Sequence, residues 1–180
     1  MASRKQKWRR RAVPLLALLA LAEAGPGVTA ASADQAQIAH GKYLVQLGGC
    51  NDCHTPGYFH GKPDTSRILG GSDVGFNVPG LGSFVGPNLT PDKETGLGSW
   101  TDEQVVTALQ TGLLPDGRIL APVMPWRALA NLTKSDARAI VAYLKSLPPV
   151  HHQVPGPFGP TEKATVDIMT LVPATATTQN

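Results

Sequence analysis

Three stretches of the chain repeat apolar residues at helical spacing, and nothing between them alternates as a half-buried strand would. The first covers about Gln35 to Leu47, with Ile38, Leu44, Val45 and Leu47 as its apolar positions, and Gly48-Gly49 ends it. The second opens on Thr101-Asp102-Glu103-Gln104, a capping-box pattern with Thr as N-cap and Gln at N3. Val105, Val106, Leu109 and Leu113 form its stripe, and Gly112 suits its end. The third starts at Thr133, places Asp136 at N3, runs through Ala137, Ile140, Val141 and Leu144, and stops at Pro148-Pro149. Residues 57–98 carry ten Gly among 42, with Pro63, Pro79, Pro87 and Pro91. A patternless run of that length fits a compact domain only if something besides side chains fills its middle. Residues 151–180 are Pro- and Thr-rich and predict an extended arm or loose tail. The pattern predicts a mostly α protein with three main helices and long Gly/Pro-rich loops.

The N-terminal residues change the charge picture. Arg4, Lys5, Lys7, Arg9, Arg10 and Arg11 precede an apolar run from Ala12 to Ala22, and Ala31-Ser32-Ala33 fits a small-residue cleavage site. This is the pattern of a secretory leader over residues 1–33, with an apolar run too short to span a bilayer. The whole chain is formally +3, but the leader holds six of the 16 Lys+Arg and one of the 13 Asp+Glu. Its removal leaves 10 basic and 12 acidic residues, a net of −2, and no basic block to attract nucleic acid. The expectation is one domain at 34–150, periplasmic, with no membrane span after cleavage.

Two Cys in 180 residues exclude a disulfide scaffold and any four-Cys zinc or iron–sulfur site. Their setting is specific: Cys50-Asn51-Asp52-Cys53-His54 is the C-x-x-C-H haem-attachment signature. Thiols three positions apart lie on one face of a helical turn and can add to the two vinyl groups along one haem edge. His54 is then carried beneath the ring, where an imidazole nitrogen can bind iron. A redox disulfide between Cys50 and Cys53 suits the same compartment but usually sits in a βαβ setting, which is missing here. Zinc would need a fourth ligand from elsewhere. One covalent haem c accounts for more: a large flat apolar cofactor supplies the core that the glycine-rich stretch lacks.

A second axial ligand should come from the far side of the ring. Beyond Met1, the thioethers are Met124 and Met169. Met124 lies in Ala121-Pro122-Val123-Met124-Pro125-Trp126, where two prolines stiffen the loop, and it is the expected ligand. Met169 is expected to pack, and His40, His60, His151 and His152 to lie at the surface or in hydrogen bonds. Arg118, Trp100, Trp126 and Arg127 are candidate donors to haem propionates, against the ordinary roles of surface arginine and packed tryptophan.

With these residues in place, the chain over about 38–150 resembles the small bacterial c-type cytochromes with His/Met haem. Gly41-Lys42-Tyr43-Leu44-Val45 is similar to that family's N-terminal helix and Ala139-Ile140-Val141-Ala142-Tyr143-Leu144-Lys145 to its C-terminal helix. The resemblance implies a class I cytochrome c-like fold in which these helices cross, Gly41 receiving Tyr143. It implies, from Gly86-Pro87-Asn88-Leu89, that the Pro87 carbonyl accepts the Nδ1–H of His54. The Gly86-to-Gly96 run, Met124-Pro125-Trp126 and Ser146-Leu147-Pro148-Pro149-Val150 are similar to cytochrome domains accompanying periplasmic alcohol and aldehyde dehydrogenases. Those subunits often string several haem domains together, whereas this chain carries one C-x-x-C-H, which favours a free carrier.

The expected function is single-electron transfer by a mono-haem cytochrome, not enzymatic catalysis. The expected partners are a dehydrogenase as donor and an oxidase or another cytochrome as acceptor, meeting in weak, transient encounters. Its rivals are a haem-based gas sensor, in which Met124 is labile, and a thiol–disulfide oxidoreductase. A diheme peroxidase would require a second attachment site.

Overall fold

The computed structural model describes residues 30–171, so the expected leader lies almost entirely outside the described residues. Helix α1 spans Ala30–Leu47, beginning about five residues before the apolar pattern does. Small and polar residues fill that first turn and a half, and they are compatible with helix without marking it. Gly48-Gly49 interrupts the chain, and Gly49 takes a left-handed φ of 65° that lets it restart at once as α2, Cys50–His54. A 3₁₀ turn, Thr65–Arg67, follows, and its N-cap Asp64 accepts the Ser66 N–H.

The helical half has its own apolar core. α3 (Asp102–Thr111) starts with the capping box, both reciprocal bonds being present, and ends at Gly112 with φ 74°. α4 (Trp126–Leu129) is a single turn, and α5 (Lys134–Ser146) is capped by Thr133. α1 and α5 cross at Gly41, where an added Cβ would run into the Ala139 carbonyl oxygen and come within 2.9 Å of Tyr143 Cβ. Val45, Leu69, Leu97, Val105, Ile140, Val141 and Leu144 form the buried cluster beneath this crossing. Each such side chain contributes about 1.5–3 kcal/mol by leaving water. Lys145 ties the loop before α3 to α5, its ammonium donating to the carbonyls of Leu97 (2.6 Å) and Trp100 (2.7 Å).

The described residues hold five helices and a small sheet, two helices and three strands more than the apolar pattern marks. β1 (Val74–Val78) pairs antiparallel with β2 (Gly82–Val85), Phe76 opposite Phe84, through a turn at Pro79-Gly80. β3 (Asp167–Met169) adds to β1 in parallel, giving the order β2-β1-β3. These strands are five, four and three residues long, and the first two contain glycine, so they are too short and too irregular for an alternating pattern to show. Residues 151–171 run back along the domain; Phe158 is buried and pairs with Ser83. No helix among the described residues is long and apolar enough to cross a membrane.

Candidate functional site

His54 ends α2 and is only 5% exposed. Its Nδ1 lies 2.8 Å from the carbonyl oxygen of Pro87, and since a carbonyl can only accept, Nδ1 carries the proton. That leaves Nε2 with its lone pair free to bind a metal. Burial lowers the His54 pKa, opposed in part by the bond to Pro87, so the ring is held neutral, as ligation requires.

The surrounding backbone is pressed against this imidazole. The Gly71 N–H donates to the His54 carbonyl at 2.8 Å, and the Thr55 hydroxyl accepts the Leu69 N–H at 2.9 Å. Gly86 lies so close to the Cys53 carbonyl that a Cβ there would collide with it, while also reaching within 3.3 Å of His54 Nδ1. The loop after Pro87 is fastened by Asn88, which is 2% exposed. Its Nδ2 donates to Thr95 Oγ1 (3.0 Å) and the Val150 carbonyl (2.7 Å), and its Oδ1 accepts from Thr90 N (2.9 Å) and Oγ1 (2.8 Å). Sequence reasoning met Gly86, Asn88 and Thr90 only inside the Gly86-to-Gly96 run and gave none of the three a role of its own. The available signal was an asparagine in a tight Gly-Pro-Asn context, which marks a turn whether or not its side chain is buried.

Cys50 and Cys53 are free thiols on α2, and burial, the largest cause, raises the pKa of both, with Asp52 adding to it. A dithiol exchange enzyme needs the opposite, a stabilised thiolate. Among the described residues, no three His, Cys, Asp or Glu side chains converge to hold an ion, which leaves the zinc reading without its ligand set.

Met124 is half-buried in a loop made of local turns: its N–H donates to Ala121, and its carbonyl accepts from Trp126. This loop forms one wall of a cleft whose lining also takes in Leu81 and Phe84 of the β1–β2 hairpin, together with Ile119, Leu120, Trp126 and Arg127. The Trp126 indole packs on Gly112, whose added Cβ would come within 2.8 Å of the ring, and the Arg127 guanidinium stacks on the indole at 4.5 Å. Trp126 Nε1 is buried without an acceptor, the one such side-chain atom among the described residues. Arg118 is exposed and paired with Asp116 at 2.7 Å, and Trp100 packs against the helical core, so neither is brought to the cleft with Trp126 and Arg127. The other histidines have partners: His40 bonds Asp136 and His152 bonds the Gly70 carbonyl, while His60 and His151 lie near carboxylates. Met169, half-exposed, is on β3.

The residues fit a haem. A neutral imidazole with a free Nε2, a thioether on a stiffened loop and two neighbouring thiols are the donors such a group needs, and the cleft beside the Met124 loop is lined by Trp126 and Arg127 but not by His54, the cysteines or Met124 itself.

A family model described as Cytochrome c matches residues 38–148. The chain is 37% identical over 114 residues to the cytochrome c subunit of the quinone alcohol dehydrogenase of Gluconobacter oxydans, covering 63% of this chain and 22% of that one. It is 37% identical over 111 residues to the fructose dehydrogenase cytochrome subunit of Gluconobacter japonicus (60% and 21%). To the gluconate 2-dehydrogenase cytochrome c subunit of Pantoea cypripedii it is 29% identical over 114 residues (62% and 23%). The match thus spans about a fifth of the length of each of these relatives.

Proposed function

This chain belongs to the cytochrome c family, and from that premise we propose that it carries single electrons as a periplasmic, mono-haem c-type cytochrome. Cys50 and Cys53 would form the two thioether links, and His54 Nε2 and Met124 would hold the iron. The haem supplies a reversible Fe(III)/Fe(II) couple, and the chain does the rest. Pro87 fixes the imidazole plane and, by accepting Nδ1–H, makes His54 a stronger electron donor. Pro122 and Pro125 keep the Met124 loop from rearranging between oxidation states. Trp126 and Arg127 are the donors for the propionates. Held by both His54 and Met124, the group would be left without a place for substrate and would supply electron transfer alone.

The donor we propose is a dehydrogenase of the kind named in the relatives, and the acceptor a respiratory oxidase or another cytochrome. Export rests on the leader pattern at 1–33. The observation that carries the reading is the 2.8 Å contact from His54 Nδ1 to the Pro87 carbonyl inside a C-x-x-C-H motif. Mass spectrometry of the secreted protein should find one haem added through Cys50 and Cys53. Met124→Ala should keep that mass while losing the methionine–iron charge-transfer band. Bare thiols or a cystine would refute the carrier. A band that survives Met124→Ala would refute the distal ligand, and carbon monoxide binding to the reduced wild type would favour the gas sensor.

A further inference from the structure

The family match ends at residue 148, yet the chain continues along the domain for more than twenty residues. What this arm touches is not random surface. Val150 exchanges bonds with the loop after Pro87: its carbonyl accepts from Asn88 Nδ2 at 2.7 Å, and its N–H donates to Thr90 Oγ1 at 3.0 Å. The His152 N–H donates to Thr95 Oγ1 at 3.0 Å. The His152 ring crosses to the other side of the site, with Nδ1 2.7 Å from the Gly70 carbonyl, and Val154 covers Gly71 closely enough to exclude a side chain there. Phe158, 6% exposed, then exchanges both backbone bonds with Ser83 at 2.9 Å each, and β3 finishes alongside β1.

The two backbone segments gripped this way are the two that touch His54. Gly71 donates to the His54 carbonyl, and Pro87 accepts from its imidazole, both at 2.8 Å. Neither segment has regular structure to hold it: one is a Gly-Gly turn and the other a Gly-Pro-Asn turn. The arm spans them from outside.

We infer that residues 150–158 are a clamp that sets the His54–Pro87 hydrogen bond, with His152 as its positioning residue. Gly70 O is an acceptor, so His152 Nδ1 carries the proton there. The two segments also bond each other directly, Ser72 N–H to the Gly86 carbonyl at 2.9 Å and Leu89 N–H to the Leu69 carbonyl at 2.8 Å, so losing the His152 bond would loosen the 70–71 turn against the 86–88 turn without parting them. The imidazole would then donate less well to Pro87, become a poorer electron donor to iron, and the reduction potential would rise. This inference rests on the haem reading above, since His54 has a potential to set only if it binds iron.

The test uses the full-length, haem-loaded protein and reads the reduction potential and the iron–histidine vibration, which packing alone would not move. His152→Ala should keep covalent haem and the methionine band but raise the potential, favouring reduction about threefold, or ~28 mV at 59 mV per tenfold for one electron. His152→Asn should restore the wild-type value, because Asn Nδ2 hangs from Cγ where His Nδ1 does. Phe158→Ala, which loosens the arm one step further on, should shift the potential the same way. A lower melting temperature with an unmoved potential in both alanine variants would overturn the clamp, as would a shift that asparagine fails to reverse. A wild-type protein lacking covalent haem would instead bring down the carrier reading beneath it.

Discussion

The two loops that face the proposed haem are built on different principles. The proximal loop around His54 is knitted by long-range hydrogen bonds from buried polar groups: Asn88 is 2% exposed and Thr90 not at all, and their partners lie up to 62 residues away. The distal loop around Met124 holds its shape by local turns and two prolines, and Ile119 at its entrance is 59% exposed. It is tied to the rest through Gly112, whose carbonyl accepts the Leu120 N–H at 2.8 Å and whose Cα supports the Trp126 ring. The lesson is that one ligand is part of the fold and the other is mounted on it. Damage on the proximal side should therefore cost the fold, and damage on the distal side should cost the ligand.

Gly86→Ala should produce the largest effect, because its Cβ would meet backbone rather than a side chain that can turn away. A loss above about 4 kcal/mol in urea unfolding and little haem-loaded protein are expected; near-wild-type yield would erase the contrast at its strongest point. Asn88→Ala comes next. It strips four hydrogen bonds and strands buried partners, and about 3 kcal/mol should disappear with the methionine band unchanged. Gly112→Ala tests the opposite side. Its φ of 74° and the ring 2.8 Å from the new methyl group predict a cost of about 2 kcal/mol. Here the methionine band should weaken while His54 signatures stay put, and a reversed pattern would mean the loops are not independent.

The smallest effect is a pH dependence. The Ser66 hydroxyl, followed by Arg67, lowers the Asp64 pKa from 3.8 to about 2. A depressed carboxylate pKa stabilises the folded state above its unfolded value and loses that contribution as pH falls through the folded one. The melting-temperature gap between wild type and Asp64→Asn should therefore close between about pH 3.8 and about pH 2. A gap that persists at the acid end would mean that the Asp64 carboxylate is not stabilised by Ser66 and Arg67.

Much of the site was legible because its chemistry is local. C-x-x-C-H spans five residues, the capping box four, and Gly41 announces a close helix contact once a crossing partner is named. The hairpin at 74–85 was not legible, because its strands are too short for alternation to stand out from a glycine-rich background. The burial of Asn88 was equally hidden: its partners are Thr95, Thr90 and Val150, and no local pattern distinguishes an asparagine satisfied at distance from one facing water. Arg118 and Trp126 read alike as propionate donors; one is spent on Asp116 and the other is left without an acceptor.

By itself the amino-acid order determined the chemistry available here: two thiols and an imidazole in one turn, a methionine between prolines, and three helices with their caps. Those features depend on neighbours within a few positions, where covalent geometry and side-chain spacing decide the outcome. Only the tertiary structure decided that Pro87 meets His54, that Trp126 rests on Gly112, and that residues 150–154 return to the proximal side. Such pairings join groups well separated along the chain, and they exist because the whole chain must pack closely and satisfy most of its buried polar atoms at once.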